Sequence, residues 1–147
     1  MTTINSYKDL LVWKGAVELA VACYAATKDF PTGEAHGMTS QIRRSSASIA
    51  ANIAEGHGRE STGTFIQFLR IAQGSLKELE THVVVSGRVG LLADTMVSRL
   101  LNQAEQIGRM LRSLIRSLQQ KSMIISIRYS LFAIRSAASR SATVEAS

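Results

Sequence analysis

One cysteine, Cys23, and one proline, Pro31, stand in 147 residues. A lone thiol closes no intrachain disulfide and supplies neither a cysteine-rich zinc site nor an iron–sulfur cluster. It fits a reducing compartment, and the expected location is cytoplasmic. The shortage of proline and of aromatic residues, which make up 5% of the chain, speaks against a turn-rich sheet protein and for long helices. The segment MTTINSYKDLLVW lacks the basic region, apolar core and small-residue cleavage site of an export signal. The apolar run of the tail is broken by Arg128 and falls short of the roughly 20 residues that cross a bilayer, so no transmembrane segment is expected.

Acidic residues are also missing from one region. Residues 1–98 carry nine Lys or Arg against nine Asp or Glu, whereas residues 99–140 carry eight basic residues and only Glu105. The net charge of +6 therefore belongs to the C-terminal part. Such a field attracts nucleic acid, an acidic protein or a membrane surface, and it equally serves to solvate a long polar helix face.

What is present is apolar periodicity. With 46% hydrophobic residues the chain can bury the core of one domain. From Lys8 to Phe30, Leu11, Val12, Ala16, Leu19, Ala20 and Cys23 recur by threes and fours, and Pro31 and Gly33 then break the pattern. A second helix is predicted over Thr39–Gly56, with Ile42, Ile49 and Ile53 among Ala and Ser that permit close backbone approach. Gly56 and Gly58 read as its C-terminal breakers. Ser61 is a cap for a third helix through Phe65, Leu69, Ala72, Leu76, Leu79 and Val83, ending near Gly87–Gly90. Asp94 is a cap for a fourth, through Leu100, Ile107, Leu111, Leu114 and Leu118 to about Lys121.

Four amphipathic helices hide their stripes by packing together, and an antiparallel up-down-up-down bundle is the simplest arrangement. The predicted organisation is an all-α four-helix bundle over residues 1–121 and an extension over 122–147. In the extension both helical and alternating patterns fit, and the reading beyond about residue 136 is disorder.

No motif marks a reaction centre. Glu78 and His82 lie four apart but supply only two ligands, without the paired Glu-x-x-His of a bundle di-iron site, so no metal is expected. Cys23 falls on an apolar stripe, the place of a buried thiol rather than a nucleophile. His36 and His57 flank glycines in expected surface loops. Gly56-His57-Gly58-Arg59 has neither the spacing of a phosphate-binding loop nor that of a dinucleotide fingerprint. No nucleophile elbow frames a serine triad. The expectation is a protein without enzyme activity or cofactor.

Two polar groups invite a role. Around the glycines, Asn52, Glu55 and Arg59 read as orientation-fixing residues, an Arg–carboxylate pair at the helix join with Asn52 satisfying backbone groups near the turn. On the fourth helix Arg109, Arg112 and Arg116 are spaced by three and four, so they project from nearly one face, and Lys121, Arg128 and Arg135 follow at seven-residue intervals. A row of cations could neutralise phosphates without reading bases, and it could as well be a solvated or salt-bridged face.

Tyr7-Lys8-Asp9-Leu10-Leu11-Val12-Trp13-Lys14, then QIRRSSASIAANIAEGHGR, then GSLKELE stand in that order. Together they resemble the bacterial four-helix-bundle proteins encoded in intervening sequences of large-subunit ribosomal RNA genes, to which the accessory protein of diversity-generating retroelements is similar. The resemblance covers about residues 7–121. It implies a homo-oligomeric ring, a pentamer, without enzyme activity, and in the retroelement relative contacts to nucleic acid and reverse transcriptase through a basic surface. Arg43, Arg44, Asn52, Glu55, Gly56, Gly58, Arg59, Glu78 and Glu80 occupy its motif positions and are read as fold or assembly determinants. Binding to RNA or DNA is assigned instead to Arg109, Arg112, Arg116 and Lys121, from charge arrangement alone. Two functions stay open: a nucleic-acid-associated oligomeric adaptor, and a purely structural or protein-interaction bundle.

Overall fold

The computed structural model describes residues 6–144, with side chains to residue 140. The described residues are all-helical, with four α-helices and no strand: α1 (Leu11–Ala26), α2 (Met38–His57), α3 (Thr62–Arg88) and α4 (Asp94–Val144). A single 3₁₀ turn, Tyr7–Asp9, precedes α1, and another, Thr32–Glu34, leads into α2.

Local chemistry sets most of these limits. Ser6 caps the first turn, its hydroxyl accepting from the Lys8 amide while Asp9 accepts from the Ser6 amide. The predicted first helix, Lys8 to Phe30, is thus a turn followed by a shorter helix. At its far end Thr27 donates its hydroxyl to the Cys23 carbonyl at 2.9 Å, satisfying an end group of α1. Before α2, where Gly37 has no side chain to offer, Glu34 accepts from the Met38 amide at 2.9 Å. Ser61 caps α3 by accepting from the Thr64 amide. Gly90, at φ +83°, turns the chain after α3, in the left-handed region that favours glycine. Asp94 is the first residue of α4 rather than the residue before it, and its carboxylate sits in the first turn, at the positive end of the helix dipole.

Each helix packs on two others: α1 on α2 and α4, and α3 on α2 and α4. Ala16, Leu19 and Cys23 of α1 meet Ile42, Ile49 and Ile53 of α2, Leu69, Leu76 and Leu79 of α3, and Leu100, Ile107 and Leu111 of α4 in one core. Burying each Leu or Ile of this set contributes about 1.5–3 kcal/mol. Cross-helix contacts fix the register: Ser48 to Ser75 at 2.9 Å and Arg44 to Glu78 at 3.5 Å join α2 to α3, and Arg43 to Thr27 at 2.9 Å joins α2 to α1.

Three sequence expectations change. Gly56 is not a breaker but a buried residue inside α2, and a Cβ there would stand 2.6 Å from the Phe68 Cβ and 2.9 Å from the Phe65 ring. Its role is space for the close approach of α3. Gly58 does stand at the end of α2 as its C-cap, but in an ordinary right-handed conformation, so the left-handed freedom of a glycine breaker is not used there. The third change concerns the tail. α4 does not end near Lys121: the helix continues past residue 136 to Val144. No glycine or proline follows Gly108 to stop it. Residues 145–147, the end of the segment expected to be disordered, lie outside the described residues.

Cys23 is fully buried, and burial pushes its thiol from 9.0 up to about 11, opposed in part by a hydrogen bond with Ser46. A folded pKa above the unfolded value makes this thiol's contribution complete below pH 9 and lost as pH rises toward 11. Cys23→Ala should therefore flatten the fall of the melting temperature over that window, and native protein at pH 8 should resist a thiol reagent that labels it fully in denaturant. The glycine argument gives a second pair of outcomes. Gly56→Ala should destabilise by about 1–3 kcal/mol through overpacking, whereas Gly74→Ala, whose Cβ meets nothing within 4 Å, should stabilise by up to about 1 kcal/mol; chemical denaturation of both variants reads the difference.

Candidate functional site

α4 turns its apolar stripe inward, and the opposite face carries the cations. Leu100, Ala104, Ile107, Leu111 and Ile115 are buried, while Glu105, Arg109, Arg112 and Arg116 are exposed. The 3.6-residue period puts these four within one outward sector of about 60°. Lys121 is exposed as well but sits off that sector, roughly 140° round the helix from Arg116, on the line of Arg128 and Arg135.

The four cations assigned to binding are not equivalent. Arg109 gives its guanidinium to Glu105, one turn earlier, at 2.6 Å. The hydrogen bond from Arg109, then its charge and those of Arg112 and Lys77, hold the Glu105 carboxyl below the usual carboxylate range. Among the described residues Arg112, Arg116 and Lys121 form no ion pair. The pairing of Arg109 was legible in the sequence as an acid four residues before a base.

The second polar group lies on α2 and α3, and its Lys77 and Glu80 border that face beside Glu105. Arg43 donates to the Thr27 hydroxyl and stacks over the Tyr24 ring at 4.7 Å, tying α2 to the end of α1. Arg44 reaches Gln41 at 2.9 Å and Glu78 at 3.5 Å, and Glu78 also faces His82 at 3.5 Å. Lys77 pairs with Glu80 at 2.8 Å. Arg59 pairs with Glu55 at 2.6 Å and lies over the Phe68 ring at 5.2 Å, so the expected Arg–carboxylate pair at the join is present and is seated on α3. These exposed pairs contribute about 0–1 kcal/mol each, and their effect is orientation.

Asn52 is the exception. It donates back to the Ser48 carbonyl at 2.8 Å and to the Ser48 hydroxyl at 3.0 Å, one turn earlier, instead of serving the turn after α2. The Ser48 hydroxyl also meets Ser75, so Asn52 completes a polar bridge between α2 and α3. His57 differs too: it ends α2, half-buried, with its ring edge-on to Phe65 at 5.7 Å, and is no surface loop residue.

An unforeseen feature is apolar surface on the outside of the bundle. Val17, Ala20, Val21 and Tyr24 of α1 line a groove with Ala47 and Ala50 of α2, and Val21 is 63% exposed. Val17, Val21 and Tyr24, spaced by four and three beside the Ala16, Leu19 and Cys23 stripe, were the signal in the sequence.

The 23S rRNA-intervening sequence protein family matches residues 8–113. The chain belongs to this family. Among solved structures, a protein with unknown function from the S23 ribosomal protein family of Bacteroides thetaiotaomicron is 28% identical, with a TM-score of 0.65. The match covers 71% of this chain and 98% of that one. A search of curated proteins returns no match. No helix among the described residues is long and apolar enough to cross a membrane.

Glu105 restrains the charge of the outer α4 face. Glu105→Gln should free Arg109 and raise the positive charge of this face by one, read as later elution from a cation-exchange column at pH 7; equal retention of the two proteins would mean that the pair does not restrain this face.

Proposed function

We propose that this chain is a non-catalytic oligomeric adaptor: an up-down-up-down bundle assembled as a homo-oligomeric ring of five copies, whose basic surface contacts RNA or DNA in the cytoplasm. The observation that carries the reading is the outer face of α4, where Arg112 and Arg116 are exposed and unpaired among the described residues, with no acidic residue from 106 to 140 to neutralise them. Cations held at fixed spacing on a helix bind phosphates with little regard for sequence. Lys121 extends the positive field. Arg109 contributes less, because Glu105 already holds it.

The ring is supported by the groove of Val17, Val21 and Tyr24, apolar surface that another copy would cover. The up-down order is supported by the short joins after α2 and α3 and by the contacts of Ser48 with Ser75 and of Arg44 with Glu78. A reverse transcriptase partner, and kinship with the retroelement accessory protein, rest on the resemblance of the three motifs. The single free thiol fits a reducing cytoplasm.

A second reading, a structural or protein-interaction bundle, is favoured by the same groove, which needs no polyanion. Salt separates the two. Binding of the native chain to duplex DNA should weaken steeply as salt rises, and Arg112→Ala/Arg116→Ala should lower the slope of log affinity against log salt by about 2 while light scattering reports an unchanged assembly. Absence of binding to both structured RNA and duplex DNA at low salt would leave the interaction-module reading standing.

A further inference from the structure

Past Leu118 α4 leaves the bundle. Residues 119–135 are all exposed, among them large apolar side chains between 46% and 73% exposed. The helix from there to Val144 extends for roughly 35–40 Å at 1.5 Å per residue. Its exposed apolar area, on the order of 1,000 Å² in all, is divided between two sides of the helix, each about the size of the largest patch of an ordinary monomer, roughly 300–600 Å².

The distribution around the helix says what covers it. Leu111, Ile115 and Leu118, which pack in the bundle, continue without a change of register into Ile125, Tyr129 and Phe132. This is a 4-3 spacing, the repeat of a helix-to-helix seam. A second seam, Ile124, Ile127, Leu131 and Ile134, has the same spacing and lies about 160° round the helix from the first. Between the seams on one side run Lys121, Arg128 and Arg135. On the other side run Ser126, Ser130, Ala133 and Ala137. The helix therefore has two apolar flanks, a cationic edge and, opposite it, a small-residue edge.

A bilayer surface or a single groove buries one flank and leaves the other wet. Two flanks on opposite sides need two neighbouring helices, and a closed ring of identical helices supplies them, the first seam of each copy meeting the second seam of the next. In that ring the arginines point outward into water, where like charges stand farthest apart, and the serines and alanines line the inside. We propose that residues 122–140 are a self-association module in which the tails of three or more copies close into such a helical barrel. The family match ends at residue 113, so the module is an addition to the family domain. It extends the homo-oligomer reading and is independent of polyanion binding.

The test uses the full chain. Cys23 is buried, so a new thiol reacts selectively. Ser130→Cys, on the inner edge, should give covalent dimers with a short bismaleimide, and Arg128→Cys, on the outer edge, should give few. In the Ser130→Cys background, Ile125→Gln/Phe132→Gln and Ile127→Gln/Ile134→Gln should each cut the dimer yield by roughly tenfold or more, with helical content retained in circular dichroism. Assembly by light scattering without Ser130→Cys cross-linking would overturn the tail barrel and leave a bundle ring intact. A monomeric chain would overturn both. Equal cross-linking at 128 and 130, loss on disrupting one seam only, or flotation of the chain with anionic vesicles without cross-links would each overturn the barrel as well.

Discussion

The apolar stripe of α4 has to be covered along its length, and the rest of the molecule follows from how far the bundle can do so. Between Leu100 and Ile115 the stripe is buried against α1 and α3. That burial turns Glu105, Arg109, Arg112 and Arg116 to the outside, because side chains at helical spacing cannot share a face with the residues between them. The cationic face is thus a consequence of core packing. Beyond Leu118 no other helix among the described residues covers it, and the same stripe becomes exposed surface.

Close approach of α2 and α3 depends on a different economy. Gly56 leaves room for Phe68 and Phe65, and Ser48 and Ser75 meet across the interface with Asn52 behind them. Small side chains bring the two backbones near, and hydrogen bonds satisfy the polar atoms they bring with them. Arg59, held by Glu55 and lying over Phe68, closes the bottom of this contact. The motif residues that carry the family resemblance are therefore mostly packing and orientation residues, and the cations of α4 are a separate set.

Helix stripes were legible in the sequence because apolar periodicity is a local property. So were the cap at Ser61 and the end of α3 within Gly87–Gly90. The functions of Gly56 and Asn52 were not, since both depend on what lies across the interface, Phe68 in one case and Ser48 with Ser75 in the other. The tail pattern fits a strand as well as a helix, so the periodicity places an end near Lys121; the absence of any glycine or proline after Gly108 is the clue to the continuation of α4. Of the candidate site, the spacing of Arg109, Arg112 and Arg116 was plain, but the unequal standing of Arg109 came from Glu105.

The proposed ring would join copies of the chain through the groove of Val21 and Tyr24 and the two flanks of the tail, and would repeat the cationic face of α4 around it. The most direct measurement is the mass of the full-length protein in solution by light scattering over a range of concentrations. The account predicts a discrete assembly of at least three chains, five in the ring it proposes, held at micromolar concentration. A monomer, or a dimer that grows no further, would contradict it.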